Sequence, residues 1–588
     1  MTPGLAVFIA SGRDEAAWEP SVAGVIAALA AEFEVVPDRG GQPVSAGRRT
    51  LLDTFDWRLY KAGLTLDYVA RPVGGELRLA DQAAASAQLV ITQPVTGWQA
   101  ARPHLMCEVP SGPAASRIGD LVAPRALLPI VTVSTATTIH RLLNEDGKMV
   151  ARLLVERSAI GGQRPGPQTS LLSSSMGGSR PPSPLAPRLS VAEVRGYPGQ
   201  ARRAARVVAA AEGIAAAEVP VFAEALLVLG RRPGDYSNKV ETGITAALPA
   251  SRAAATILLR LLDTIDANVG GVLADTDTEF LHDLRVSVRR TRSGLKLFGD
   301  VLLTLPDGSA GPDGSAGSAG PAGLTEEELA FFAAEFKWVG DLTTPTRDLD
   351  VHLLDFDDTA HGLSAAKPDD LEPFRAYLEQ RRRKEFRALT RGLKSARFTE
   401  LRGGWRARLT AIKESNPAGA STTVRSGQGR QAAGGTTGTL AAERTRTTFA
   451  KVARRGAAIT AESPAESLHD LRKRCKELRY ALEFFAPLYE RTAQAKVVGD
   501  LKRLQDCLGE FQDTEVQIGE IRALATAMQA AGEAPAVTLL AMGEVTAGLV
   551  SRQRAAREDF GRRFAAFAGI DGQRRMSALL RGKPGVGG

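Results

Sequence analysis

The chain, 588 residues long, predicts a multidomain α+β protein, strand-rich towards its N-terminus and all-α in its C-terminal half. Three observations predict this. Short apolar runs divided by turn residues fill the N-terminal part. Two helices far apart in the chain carry one and the same face, a histidine followed by basic residues at helical spacing. The length itself calls for two or more domains with full-sized cores.

In chain order, strands are expected at Leu5–Ala10, Leu64–Val69, Leu89–Thr92, Ile130–Val133 and Met149–Val155, where apolar and β-branched residues cluster. Ala-rich helical patterns lie near Ser21–Phe33 and Gln200–Leu229. Gly161–Pro187, rich in Pro, Gly and Ser, reads as a disordered insertion.

The first of the two distinctive helices runs from His282 through Arg285, Arg289, Arg290, Arg292 and Lys296 to Phe298. At the helical turn angle, His282, Arg285, Arg289, Arg292 and Lys296 fall in a sector of roughly 80°. Leu281, Leu284, Val288 and Leu295 form the neighbouring apolar stripe. The second helix repeats the pattern, with His469, Arg472, Lys476 and Arg479 beside Leu468, Leu471, Cys475, Leu478 and Leu482. Arg290, Lys473 and Arg474 point further round their helices. Cations stacked along one face repel one another, so such a stripe costs stability unless an anion sits among them. A polyanion site is therefore expected, and each histidine can donate to phosphate when protonated, or through one N–H when neutral. The bland alternative for each histidine is a packing contact.

The histidine helices head a larger repeat. Trp338-Val-Gly340 followed by Arg347-Asp348-Leu-Asp350-Val351 comes after the first, and Leu504-Gln-Asp-Cys-Leu-Gly509 followed by Gln512-Asp513 after the second. From His282 to Gly340 the span is 58 residues and from His469 to Gly509 it is 40; the 18-residue stretch Pro306–Gly323, rich in Gly, Ser and Ala, accounts for the difference as a flexible insertion. Thr343–Thr346 supplies four further residues in the first copy. The Gly/Ser/Thr-rich stretch Ser415–Gly438 reads as a linker between the copies.

On these residues the segment from Ser251 to Ile570 resembles the CHAD family, named for its histidine-bearing α-helical domain. The resemblance implies two four-helix bundles related by pseudo-twofold symmetry, residues 251–400 and 440–570, whose basic faces line a groove or pore that binds inorganic polyphosphate without catalysis. Polyphosphate offers charge and oxygens but no bases, so dense Arg and Lys suffice to hold it. The candidate site residues are His282, Arg285, Arg289, Arg290, Arg292, Lys296, His469, Arg472, Lys473, Lys476 and Arg479, with Arg383, Arg387, Arg391, Lys394, Lys451, Arg454 and Lys502 from further basic helices.

In residues 1–245, Asp53-Thr54 with Leu59 and Gly63-Leu64-Thr-Leu66 resembles the CYTH family, the triphosphate tunnel metalloenzymes. Thr138–Ala151, with Asp146-Gly147 at its turn, and Tyr236-Ser237-Asn-Lys239 match further stretches of that family. The resemblance implies an antiparallel β-barrel holding Mg²⁺ or Mn²⁺. The family opens with Glu-x-Glu-x-Lys, whereas Leu5–Ala10 carries no charge, and Leu189–Arg195 offers one carboxylate, Glu193, where two are needed. A degenerate barrel without activity is the expectation. A metal-dependent triphosphatase, with the helical domain delivering substrate, is the alternative reading.

Composition narrows the rest. A formal charge of +8 favours an anionic partner. Aromatics are only 5% and none interleave with the basic stripes, which disfavours single-stranded nucleic acid and its stacking platforms; a nucleic-acid-binding basic protein is the third reading. Cys107, Cys475 and Cys507 show no Cys-x-x-Cys spacing, so neither a disulfide framework nor zinc is expected. Asp348, Asp350, His352, Asp355, Asp357, Asp358 and His361 crowd one segment but match no metal-loop spacing; Asp348 and Asp350 read instead as the carboxylates of a helix start. No signal peptide, membrane helix or cofactor is expected, and the localisation expected is cytoplasmic, with association with polyphosphate granules.

Overall fold

The structure is a computed structural model describing residues 7–11, 15–82, 88–161, 183–303, 323–415 and 435–581. The insertions expected at 161–187, 306–323 and 415–438 lie largely outside the described residues. Two compact units are present: Met1–Ser237 with Ala274–Glu279, and Asn238–Leu273 with Phe280–Gly588.

The first unit contains β1 (Val7–Ala10), α1 (Glu15–Ala30), β2 (Glu34–Pro37), β3 (Ser45–Asp53), α2 (Arg58–Lys61), β4 (Leu64–Ala70), β5 (Gly75–Asp81), β6 (Gln88–Val95), α3 (Pro113–Val122), β7 (Leu128–Leu143), β8 (Met149–Ile160), β9 (Ser183–Pro184), β10 (Arg188–Glu193), α4 (Pro198–Ala210), β11 (Ile214–Ala216) and α5 (Val221–Val228). The strands form one antiparallel sheet in the order β11-β1-β10-β8-β7-β3-β4-β5-β6, with β2 added to β7 and β9 to β8. Alternation along β5 and β8 buries Leu77, Leu79, Leu153 and Val155 and leaves intervening residues less covered.

The barrel expectation is corrected here. Among the described residues no ladder joins β11 to β6, so the sheet is open. Its apolar surface is divided between two cores instead of one enclosed interior. Val25 and Leu29 of α1 and Ala201, Ala204 and Val208 of α4 cover Leu153, Val155, Leu189 and Val191 of β8 and β10. Ile118 and Val122 of α3 pack with Leu66, Leu77 and Leu79 of β4 and β5. Closure would demand one consistent tilt and stagger around a single interior. The helical pattern expected over Gln200–Leu229 is likewise two helices with β11 between them, interrupted where Gly213 takes φ 72° and where Pro220 precedes α5. The hairpin at Asp146-Gly147 is present between β7 and β8, with Gly147 at φ 70°.

The second unit is helical: α6 (Ala250–Leu273), α7 (Thr278–Leu302), α8 (Glu326–Leu354), α9 (Phe356–His361), α10 (Glu372–Leu393), α11 (Ala396–Glu414), α12 (Thr437–Ala457), α13 (Ala465–Phe484), α14 (Arg491–Ala530), α15 (Ala536–Ala568) and α16 (Ile570–Arg581); residues 278 and 279 of α7 belong to the first unit. Thr325 and Glu328 form a reciprocal capping box that starts α8. Ser395 caps α11, and Glu490 caps α14 through the N–H groups of Thr492 and Ala493.

One core joins Leu468, Leu471, Cys475, Leu478 and Leu482 of α13 to Val452 of α12, Leu501, Leu504 and Leu508 of α14, Phe560 of α15 and Met576 of α16. The apolar stripe read beside the second basic face is this packing surface. Leu284, Val288 and Phe298 of α7 are buried in the same way. The far ends of α14 and α15 pack with α8, α9 and α10 through Leu349, Phe374, Leu378, Ile518, Ile521 and Met542.

Candidate functional site

The stripe cations of α7 meet α8 where Thr343, Thr344 and Pro345 stand. Proline lacks the N–H that would bond the carbonyl four residues back, yet α8 runs on through Pro345 to Leu354. Thr343 Oγ1 donates to Val339 O at 2.9 Å, and Thr344 Oγ1 donates to Gly340 O at 2.8 Å, a local back-bonding that threonine makes readily in helices. The hydroxyl oxygens in turn accept from Arg285, whose Nη1 lies 3.0 Å from Thr343 Oγ1 and 2.8 Å from Thr344 Oγ1. Arg285 is half-buried, and burial first of all, followed among cations by Arg289 and Arg347, pushes its guanidinium down to about 10 against the support of Asp348 and Asp350. Arg292 lies against Gly340, where a Cβ would come within 3.1 Å of its Nη1. Arg285, Arg289, Arg292, Gly340, Asp341, Thr343 and Thr344 line one cleft.

The equivalent face of α13 meets α14. Arg472 pairs with Asp513 at 2.9 Å, and Gly509 again lies opposite an arginine, its Cβ position 3.5 Å from Arg472 Nη2. His469 Nδ1 donates to Gln512 Oε1 at 2.5 Å, which leaves Nε2 as the nitrogen available to a ligand. Lys476 is buried enough to be pushed down to about 8, with Arg472 and then Arg289 adding to the depression and Asp513 opposing it. That dependence on Arg289 brings the two stripes together: a cation of α7 and a cation of α13 act on the same ammonium.

The two helices are also fastened directly. Arg290 donates to Asn238 O at 2.7 Å and pairs with Glu483 at 2.8 Å, while Phe298 packs on Phe484 and Phe485. Arg290, named from the sequence as a ligand, is therefore a tether. Arg479 pairs with the same Glu483 at 2.7 Å. Lys473 is exposed and paired with Asp470, and Arg474 with Glu477. Among the described residues, Arg289, Arg292, Lys296 and Lys476 have no ion-pair partner. His282 is half-buried and engaged by other protein groups.

Arg383, Arg387, Arg391 and Lys394 lie exposed on or just after α10, Lys451 and Arg454 on α12, and Lys502 on α14. Arg383 pairs with Glu379. Thr343, Thr344, Gln512 and Asp513 are the polar partners that sequence reasoning left without a role; their positions next to Gly340 and Gly509 in the repeat were the available signal.

The acidic segment is corrected in one respect. Asp348 and Asp350 do not start a helix but sit near the end of α8. Asp350 is buried against Arg382 at 2.6 Å, and burial together with Glu520 raises the Asp348 carboxyl although Arg285, His352 and Arg347 oppose this. The Thr-Thr-Pro run imitates a helix boundary, yet the helix continues through it to Leu354. His352 pairs with Glu520 at 2.8 Å, and Asp357 pairs with Arg375.

In the first unit, Asp53 of the Asp-Thr pair is spent on the backbone. Its carboxylate accepts from the N–H groups of Thr54, Leu59 and Tyr60, holding a turn in which Trp57 takes φ 61°. Burial pushes its carboxyl up to about 6 in spite of those bonds. Among the described residues no three His, Cys, Asp or Glu side chains converge as a metal site. No described helix is long and apolar enough to cross a membrane.

Comparison with known proteins bears on the helical region. The CHAD domain model matches residues 256–307 and 320–522. The crystal structure of the CHAD domain from the plant Ricinus communis is similar at 23% identity over 59% of this chain and 98% of its own, with a TM-score of 0.43. PptA from Streptomyces chartreusis is similar at 18% identity over 54% of this chain and 96% of its own, with a TM-score of 0.33. No curated protein matches the chain. The C-terminal region, with its duplicated histidine helices, is a CHAD domain.

Proposed function

We propose that this chain binds inorganic polyphosphate through the cations of α7 and α13. The observation that carries the reading is the direct fastening of α7 to α13 by Arg290–Glu483 and by Phe298 on Phe484 and Phe485: it sets the basic faces of both repeats on neighbouring helices, and several of their cations lack any ion-pair partner among the described residues. Such a cluster is held against its own repulsion by packing and is relieved by an anion. A phosphate chain meets the requirement because its oxygens accept charge-assisted hydrogen bonds from guanidinium and ammonium groups without needing bases to be read. In this reading the helices form two pseudo-symmetric four-helix bundles, the first unit is an accessory module derived from a tunnel-type fold, and the protein works in the cytoplasm, at polyphosphate granules.

The test is a quadruple charge reversal, Arg285, Arg289, Arg472 and Lys476 each to Glu, measured by fluorescence anisotropy with labelled long-chain polyphosphate. Binding should vanish in a variant that keeps its helical circular dichroism. Wild-type affinity should fall steeply with added salt, as expected where an anion sheds counterions. Retained affinity in the folded variant would refute the reading. A phosphate-release assay with tripolyphosphate and Mg²⁺ or Mn²⁺ separates it from the triphosphatase alternative, which predicts turnover.

A further inference from the structure

Resting on the polyphosphate reading, we infer that the two halves of this site are unequal: the α7–α8 half is an open seat that takes a short phosphate chain, and the α13–α14 half is a masked seat that only a longer chain engages. The repeats hold their equivalent arginines with opposite chemistry. Arg285 is supported by two neutral hydroxyls, Thr343 and Thr344, which orient the guanidinium without an ion pair, so that carboxylates offset its charge only through space. Arg472 is held by the carboxylate of Asp513, an anion already standing where a phosphate oxygen would bind.

The surroundings sharpen the contrast. Beside Arg285 stand Arg289 and Arg292, with no ion-pair partner among the described residues. The carboxylates near that half are engaged elsewhere, Asp341 by Lys337 and Asp350 by Arg382, while Asp348 reaches Arg285 through space without an ion pair of its own to it. In the other half, Glu483 takes up Arg479 as Asp513 takes up Arg472. Asp513 is 62% exposed, so a phosphate chain arriving from solvent can displace it without opening the core. A short chain has enough charge for the open seat but gains little by exchanging one anion for another on Arg472. A long chain, already held at the first seat, presents its next phosphates to the second at high effective concentration.

The difference comes down to one position of the repeat: four residues after the glycine the first copy has Thr344 and the second has Asp513, and each reaches the equivalent arginine of its own half.

The experiment moves the mask. Full-length wild type, Asp513→Asn, Thr344→Asp and the double variant are titrated with tripolyphosphate and with long-chain polyphosphate at one salt concentration. Asp513→Asn should tighten long-chain binding by about two- to fivefold, the scale of one exposed ion pair, and leave tripolyphosphate unchanged. Thr344→Asp should weaken tripolyphosphate by about tenfold or more, since a carboxylate then faces the anion. The double variant should combine both effects. If Thr344→Asp fails to fold, Arg289→Ala at an exposed position reads the same seat and should lose tripolyphosphate binding. Equal tightening of both ligands by Asp513→Asn, no tightening of either, or unaltered tripolyphosphate binding in Thr344→Asp or Arg289→Ala would overturn the inequality. Failure of the wild type to bind either polyanion would instead refute the polyphosphate reading beneath it.

Discussion

The α7–α8 and α13–α14 pairs start from one pattern, a histidine helix with a basic face and a downstream helix carrying a glycine opposite an arginine. They solve the same electrostatic difficulty in two ways. The first keeps Arg285 among hydroxyls and leaves neighbouring cations without ion-pair partners among the described residues. The second answers Arg472 and Arg479 with Asp513 and Glu483. A duplicated motif therefore does not entail duplicated chemistry, because the charge of a site depends on what the facing helix supplies.

Lys476, where the two halves meet, gives the largest expected effect. In the free protein its ammonium is pushed down to about 8 by burial and by Arg472 and Arg289; a bound phosphate chain favours the charged form and moves it back towards 10.5, the ordinary value. Binding then takes up a proton above pH 8, and affinity should fall by up to about tenfold per pH unit between 8 and 10. Titrations at several pH values in wild type and Lys476→Arg check this, with the arginine variant expected to lose the pH step. The folding linkage has its own sign. The unfolded chain holds the proton on Lys476 more tightly than the folded one, so its destabilising contribution is fully present below about 8 and is relieved as pH rises towards 10.5.

A smaller effect separates the two arginine sockets. Thr343→Val with Thr344→Val deprives the half-buried Arg285 of two acceptors and should cost about 1–3 kcal/mol of stability, read as a lowered Tm. Asp513→Asn removes a partner that is largely exposed and should cost under about 1 kcal/mol. Equal losses would break the distinction between a built socket and a surface mask.

The smallest effect lies at the two glycines. At Gly509 an added Cβ meets Arg472 Nη2 at ordinary contact distance, 3.5 Å, so Gly509→Ala should gain roughly 0.5–1 kcal/mol from helix propensity. At Gly340 the Cβ comes within 3.1 Å of Arg292 Nη1 and must displace it slightly. Gly340→Ala should therefore gain less stability and weaken tripolyphosphate binding, whereas Gly509→Ala leaves that binding unaltered. Thermal melts and the same titrations compare them.

Much of the helical region was legible from residue order. The apolar stripe beside each basic face is buried as periodicity requires, at Leu284, Val288, Leu471 and Leu478, because a 3.6-residue repeat places those side chains on one side of a helix whatever lies opposite. The strands from Leu64 and Met149 follow from local apolar patterning, and the Asp146-Gly147 turn from a dipeptide that accepts a positive φ. Long-range matters were not legible. The openness of the sheet depends on whether β6 and β11, far apart in the chain, find each other. The role of Arg290 depends on Glu483, nearly two hundred residues later, and α8 continues through Pro345 although local propensity predicts a break there.

Sequence alone determined that two helices would each present a histidine and a ladder of cations, since spacing along one segment settles which residues share a face. Tertiary structure decided which of those cations are answered by a carboxylate. Neutralisation acts over a few ångströms in space, and the groups that provide or withhold it, Asp513, Glu483, Thr343 and Thr344, come from other turns and other helices whose approach no local pattern encodes.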